Sequence, residues 1–213
     1  MKKILSLLAS AMLLSSGLMA QSVKLPKPDM NRKTSTVMKA YEQRRSVREY
    51  ADKTLSQQDL SDLLWAAQGQ NRPDGHLTAP TAMNKQEVVL YVFDSKGVAL
   101  YDPHAHTLTS VATGDHRDIV AGRQAMFKTA PVMLVLVADM NKFGSNNQHA
   151  QWMMGVDVGI VSENISLFCA AAGLCTVPRG TMDQKAIQQL LKLDENQIPV
   201  INNPVGYPKK INV

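Results

Sequence analysis

The stretch from His149 to Ala172 constrains this chain more than any other. Trp152, Met153, Met154, Val156, Val158, Ile160, Val161, Ile165, Leu167 and Phe168 fall on nearly every side of one helix. A helix that is apolar all round has to be covered, as a central core helix or at a contact between subunits. Glu163-Asn164 is its polar break and Gly173 its natural stop. Before it, Pro131 to Ala138 (PVMLVLVA) is a continuous β-rich run, the pattern of a strand buried on both faces.

Caps and punctuation predict the other elements. Ser22 to Lys33, rich in Lys and Pro, reads as an extended arm, followed by a helix from about Ser35 to Gln43. Ser56-Gln57-Gln58-Asp59 opens a second helix, with Ser as cap and an acid three positions on. Leu60, Leu63, Leu64 and Ala67 keep helical spacing, and Gly69 stops it. Asn71 to Thr81, with Pro73, Asp74, Gly75 and Pro80, is a loop. Strands are expected at Glu87 to Phe93 and Val98 to Tyr101, with a turn at Asp102-Pro103; Leu108 to Ala112 suits a short helix or a strand. A helix is expected over His116 to Lys128, a strand over Leu174 to Val177, a helix from the Asp183 cap to Leu193, and a last strand at Ile198 to Ile201. Helices and strands interleave without a steady βαβ rhythm, so the class is α+β.

The ends and the composition narrow the setting. Lys2 and Lys3 precede an apolar run from Ile4 to Leu18, and Ala20 before Gln21 makes a cleavage site, so residues 1–20 read as a secretory signal and the protein as exported, periplasmic or secreted. Residues 21–40 then form an arm and the start of the first helix, and 41–213 one domain. Losing Lys2 and Lys3 lowers the formal net charge of +5 by two, to +3. That is too mild to argue for nucleic acid or an acidic membrane surface, and no stable membrane insertion is expected after cleavage. Cys169 and Cys175 are no disulfide framework; a bridge between the two stays open, with two buried thiols the favoured reading. His104 and His106, without a further ligand at metal spacing, read as a surface loop, and Trp65 and Trp152 as core or interface residues.

Four segments carry chemistry. Arg44-Arg45-Ser46-Val47-Arg48 offers three guanidinium groups and a hydroxyl within five residues. Guanidinium forks match the oxygens of a phosphate and a hydroxyl can donate to a third, although such a run alone is more often a solvated basic face. Ala79-Pro80-Thr81-Ala82-Met83-Asn84-Lys85-Gln86 alternates small and polar residues, which suits close approach of backbone to a flat ligand. Ala172-Gly173-Leu174-Cys175-Thr176-Val177-Pro178-Arg179-Gly180 leaves the long helix, makes a short strand, turns at Pro178 and exposes backbone at Gly180. Pro204-Val205-Gly206-Tyr207-Pro208-Lys209-Lys210 ends in two more cations.

In this order, from about Tyr41 to Lys210, the segments resemble the nitroreductase family of FMN-dependent oxidoreductases. RRSVREY and LSDLLWAAQGQN look most like the branch with the SagB and thiazoline-oxidase type dehydrogenases. The resemblance implies a nitroreductase-like α+β sandwich, a mixed central sheet flanked by helices, and an intertwined homodimer with two FMN at its interface. Arg44 and Arg48 would hold the phosphate, Arg45 would lie near the pyrimidine or ribityl region, and Ser46 would bond the cofactor. Pro80, Thr81, Ala82 and Asn84 would come from the other subunit. Pro178, Arg179 and Gly180 would line the ring near its N5 edge, Gln124 would approach it from the preceding helix, and Lys209 or Lys210 would complete the phosphate site. Thr81-Ala82 departs from a common Ser pair, and Arg179-Gly180 from an acid-Gly pair.

The activity that the resemblance implies is that of a two-step oxidoreductase, with hydride moving through flavin N5 between a small-molecule donor and acceptor and no catalytic side chain named. Export sets it apart from cytosolic NAD(P)H. The alternative is a flavin-binding or envelope interaction protein that keeps the fold without catalysis.

Overall fold

The computed structural model describes residues 21–209; the expected signal segment and Lys210 lie outside the described residues. In chain order the elements are β1 (Ser22–Lys24), α1 (Val37–Gln43), α2 (Gln57–Gln68), β2 (Val88–Phe93), β3 (Gly97–Asp102), β4 (Thr107–Thr113), α3 (Arg117–Ala121), β5 (Val132–Asp139), α4 (Gln148–Ala172), β6 (Cys175–Thr176), α5 (Gln184–Leu191) and β7 (Gln197–Gly206). Short 3₁₀ turns lie at Ala82–Asn84, Ala125–Thr129 and Met140–Phe143. The strands form one sheet in the order β1-β4-β3-β2-β5-β7-β6.

The alternation of side chains along β5 builds both halves of the core. Val132, Leu134, Leu136 and Ala138 pack with Leu63, Leu64, Val158, Val161 and Ile165 of α2 and α4. Met133, Val135 and Val137 face the other way, toward Val120, Phe127 and Ile187 on the α3 and α5 side. Successive side chains of a strand point to opposite faces, so an unbroken apolar run is what a strand between two helical layers requires. Burial of this run on both faces is the main favourable term, about 25 cal/mol per Å² of apolar surface.

The sheet is antiparallel at every described pairing, not mixed. The reason lies in the connections. Short turns join β2, β3 and β4 as a meander. α4 then carries the chain from β5 to β6, and β7 inserts between these two and runs antiparallel to both. Leu108 to Ala112 is strand, within β4.

Helix ends follow their expected chemistry. Ser56 Oγ accepts from the Asp59 N–H at 3.0 Å and donates to Asp59 Oδ2 at 2.7 Å. Asn147 caps α4 through the Ala150 N–H, Asp183 caps α5 through the Ala186 N–H, and Gly173 ends α4 in the left-handed region (φ 72°). The continuous helix expected over His116 to Lys128 is broken at Gly122, whose φ of 56° and ψ of −134° no helix accommodates. The strand at Leu174 to Val177 shortens to Cys175–Thr176. The last strand is longer than Ile198 to Ile201, because Asn202 and Asn203 stay in the sheet as buried hydrogen-bonded residues.

The N-terminal arm is tied down on α2. Arg32 pairs with Asp59 and Asp62 and lies over the Phe168 ring, and Tyr207 donates to Asp59. His106 is half-buried, hydrogen-bonded to Ser61 and Tyr101, rather than a loose loop side chain. Both cysteines are buried free thiols, as read from sequence.

α4 is long and apolar enough to cross a bilayer by composition. Here it packs against α1, α2 and the sheet, with Val158, Val161, Ile165 and Cys169 turned inward. Ile165 is fully buried between the helices and β5. Ile165→Ala is expected to lower unfolding free energy by about 2–5 kcal/mol. A urea midpoint unchanged within error would contradict α4 as the core helix.

Candidate active site

The Arg run sits where α1 gives way to open chain. Arg44 closes α1 by donating its N–H to Ala40 O. The chain is then fixed by Val47 N–H donating to Thr176 O at 3.0 Å and Ala51 N–H to Tyr207 O at 2.9 Å. Tyr50 is buried and bridges to Pro208, and the Lys209 N–H reaches Glu49 O at 3.4 Å. These bonds bring the C-terminal segment alongside the run, so Arg44, Arg45, Ser46, Arg48 and Lys209 share one neighbourhood. All five are exposed, and among the described residues none of the four cations has an ion-pair partner. Four unneutralised cations and a hydroxyl on an anchored backbone form a donor set for a dianionic group.

Arg45 and Val47 line a cavity of about 220 Å³ together with Ser166, Cys169, Cys175 and Thr176. Burial pushes the Cys175 thiol up to about 11, so it stays protonated at neutral pH and is no nucleophile.

The Pro80–Asn84 loop is held under strain. Met83, Asn84 and Gln86 have φ of 52°, 53° and 50°, a conformation costly for side chains other than Gly. Gln86 N–H donates to Thr81 Oγ1 at 2.8 Å, Gln86 Nε2 to Gly75 O at 3.0 Å, and Lys142 Nζ to Gln86 O at 2.7 Å. The Ala82 N–H donates to Asp157 Oδ2 of α4 at 2.8 Å. Pro80, Met83 and Asn84 face solvent, while Thr81 and Ala82 are half-buried.

The third segment behaves differently from expectation. The Arg179 side chain does not face a ligand; it turns into the core and is 6% exposed. Its guanidinium donates to Asn202 Oδ1 at 2.9 Å, to Ala121 O at 2.9 Å, to Thr181 O at 3.1 Å and to Gln124 Oε1 at 3.0 and 3.1 Å, and lies 3.9 Å over the Phe127 ring. Its backbone N–H is taken by Asn202 O. Burial lowers the Arg179 pKa, and the carbonyl oxygens around it satisfy the donors instead of a carboxylate. Gln124 stands beside Arg179 and spends its carbonyl oxygen on it. Pro178 and Gly180 remain exposed, with open space where a Gly180 side chain would stand.

One chain therefore assembles the Arg run, Lys209 and the 178–180 turn near the C-terminal end of α4. It holds the Pro80–Asn84 loop at Asp157, twelve residues before the cavity-lining Cys169. That separation is about 18 Å along the helix at 1.5 Å per residue. The same chain leaves Val37, Met38, Tyr41, Trp152 and Val156 exposed on α1 and α4. Sequence reading missed Glu87 and Asp157, both buried acids behind the loop. Asp157, an acid inside an apolar helix run, was the available signal.

The model of the nitroreductase family matches residues 41–207. A Methanocaldococcus jannaschii protein provisionally named a nitroreductase is 30% identical over 176 residues, covering 76% of this chain and 86% of that protein. A Bacillus subtilis protein named FMN reductase [NAD(P)H] is 27% identical over 187 residues, covering 81% and 66% respectively. A crystal structure from Ralstonia eutropha, also provisionally named a nitroreductase, superposes with a TM-score of 0.82 at 28% identity, covering 92% of this chain and 93% of that one. The match spans the Arg run, the strained loop, the long helix and the C-terminal strand together, and this chain belongs to the nitroreductase family.

Proposed function

We propose that this chain is an FMN-dependent oxidoreductase that works as a homodimer, carrying electrons between a small organic donor and acceptor. The observation that carries the reading is the unpaired cluster of Arg44, Arg45, Arg48 and Lys209 beside Ser46, whose donor set fits the FMN phosphate. Membership of the family and similarity to the B. subtilis FMN reductase support FMN among phosphate-bearing ligands. When bound, FMN supplies the hydride-carrying centre.

The residues of this chain would divide the remaining work. Arg44, Arg48 and Lys209 hold the phosphate, and Ser46 donates to an oxygen near it. Arg45, on the cavity wall with Val47, extends positive potential away from the phosphate, where it favours an anionic reduced cofactor. Pro178 and Gly180 supply exposed backbone at the turn held by the buried Arg179. Pro80, Thr81, Ala82 and Asn84 close the site from the partner chain. The separation of about 18 Å and the exposed apolar faces of α1 and α4 support this two-chain arrangement.

Residues 1–20 support export, and an exported enzyme draws on a donor other than cytosolic NAD(P)H. The purified protein is expected to be yellow, to bleach with dithionite and to recover its colour with a quinone or nitro acceptor. A colourless protein that cannot be reconstituted with FMN would sink the reading. A yellow protein that no acceptor reoxidises would be a flavin carrier, not an enzyme. Arg44→Ala with Arg48→Ala removes two charge-assisted bonds of about 1.5–3 kcal/mol each, so FMN affinity falls by on the order of 10²-fold or more. The circular dichroism spectrum and thermal midpoint should hold, since both side chains are exposed. Retained affinity would place the phosphate elsewhere.

A further inference from the structure

Behind the strained loop lie two buried carboxyl groups that the cofactor reading does not use. Glu87 opens into β2 and is 0% exposed, with no hydrogen-bond partner on either carboxyl oxygen. Asp157, in the middle of α4, is 3% exposed, and its Oδ2 accepts the Ala82 N–H of the loop. A buried carboxylate without a donor costs several kcal/mol, and two facing each other cost more. A proton on Glu87 removes the conflict, because its O–H then donates to Asp157 while Asp157 continues to accept from Ala82.

We propose that a proton on Glu87 bridges it to Asp157, and that this pair positions the Pro80–Asn84 loop for cofactor binding and frees it when the proton leaves to solvent. The cofactor part rests on the FMN reading above. The positioning part rests on the burial of both carboxyl groups, the unpartnered oxygens of Glu87 and the Ala82–Asp157 bond. Met83, Asn84 and Gln86 hold left-handed backbone conformations that relax once their anchors weaken, and the Ala82–Asp157 bond ties the loop to α4. Ionised Glu87 would repel the carboxylate that makes this bond.

The charged groups facing Glu87 are Asp157 on α4 and Lys142 from the Met140–Phe143 turn. Burial first, then Asp157, push the Glu87 pKa up to about 7, while Lys142 works the other way. A carboxyl group raised in the folded state stabilises it fully below the ordinary carboxyl range, and the contribution is lost as pH rises through about 7. The loop is therefore held in mildly acidic medium and loosened in alkaline medium. Glu87→Gln keeps a donor toward Asp157 and cannot ionise.

The test is amide hydrogen exchange over residues 79–87 in cofactor-free protein, paired with FMN titration, both at pH 6 and pH 8.5. Comparing wild type with Glu87→Gln at each pH cancels the intrinsic pH dependence of exchange, and also the titration of the FMN phosphate. The ratio of wild-type to variant exchange should rise about tenfold from pH 6 to pH 8.5. FMN affinity of wild type relative to the variant should fall by a similar factor. An exchange ratio that stays flat overturns the proposal whatever FMN does. Failure of both proteins to bind FMN, with the exchange ratio changing as expected, overturns the FMN reading and upholds the positioning pair. Asp157→Asn gives an independent check by removing the facing charge. Its exchange transition should move to lower pH, and an unmoved transition also overturns the proposal.

Discussion

Covering α4 is the constraint on which the rest of the structure depends. Twenty-five residues of mostly apolar helix cannot stand in water, and the sheet, α1 and α2 cover one side of it. The same helix carries Asp157, which anchors the strained loop, and Cys169, which lines the cavity beside Arg45. Core and site are thus positioned by a single element. A change that tilted α4 would move both halves of the candidate site at once.

The side of α4 that this chain leaves uncovered carries functional weight in the proposed dimer. Trp152 is 64% exposed and Val156 42% toward the N-terminal end of α4, and Val37, Met38 and Tyr41 of α1 are exposed toward its C-terminal end, where the Ser35 N–H donates to Ala171 O. A second copy that buried this surface would bring its own loop toward the Arg run. Folding, association and cofactor binding would then be linked, each stabilising the others by mass action.

Much of the fold was legible because the physics is local or periodic. PVMLVLVA had to be a strand between two layers, and Ser56, Asp183 and Gly173 marked helix ends by short-range chemistry. The failures share the opposite cause. Asn202 and Asn203 lie beyond the strand expected at Ile198 to Ile201, yet stay in β7 because Arg179 and Ser162 satisfy them from distant parts of the chain. Arg179 looked like a ligand contact, but Phe127, Gln124 and three backbone carbonyls draw it inward. Glu87 and Asp157 meet only after folding, so no local pattern could pair them. The Arg run was visible as chemistry, and its role needed the neighbouring Lys209 segment and the family match.

The central claim is that two chains close each site, one with the Arg run and the other with the Pro80–Asn84 loop. Subunit mixing tests it most directly. Arg44→Ala with Arg48→Ala disables one half, and Ala82→Trp, which puts a bulky side chain on the loop, disables the other. At an FMN concentration that just saturates wild type, neither variant alone should retain appreciable binding. Unfolded and refolded together in equal amounts, they should form mixed dimers in which one of two sites is intact, restoring about a quarter of wild-type FMN binding. No recovery, with mixed dimers demonstrated by mass, would mean that each chain builds its site alone and would contradict the account.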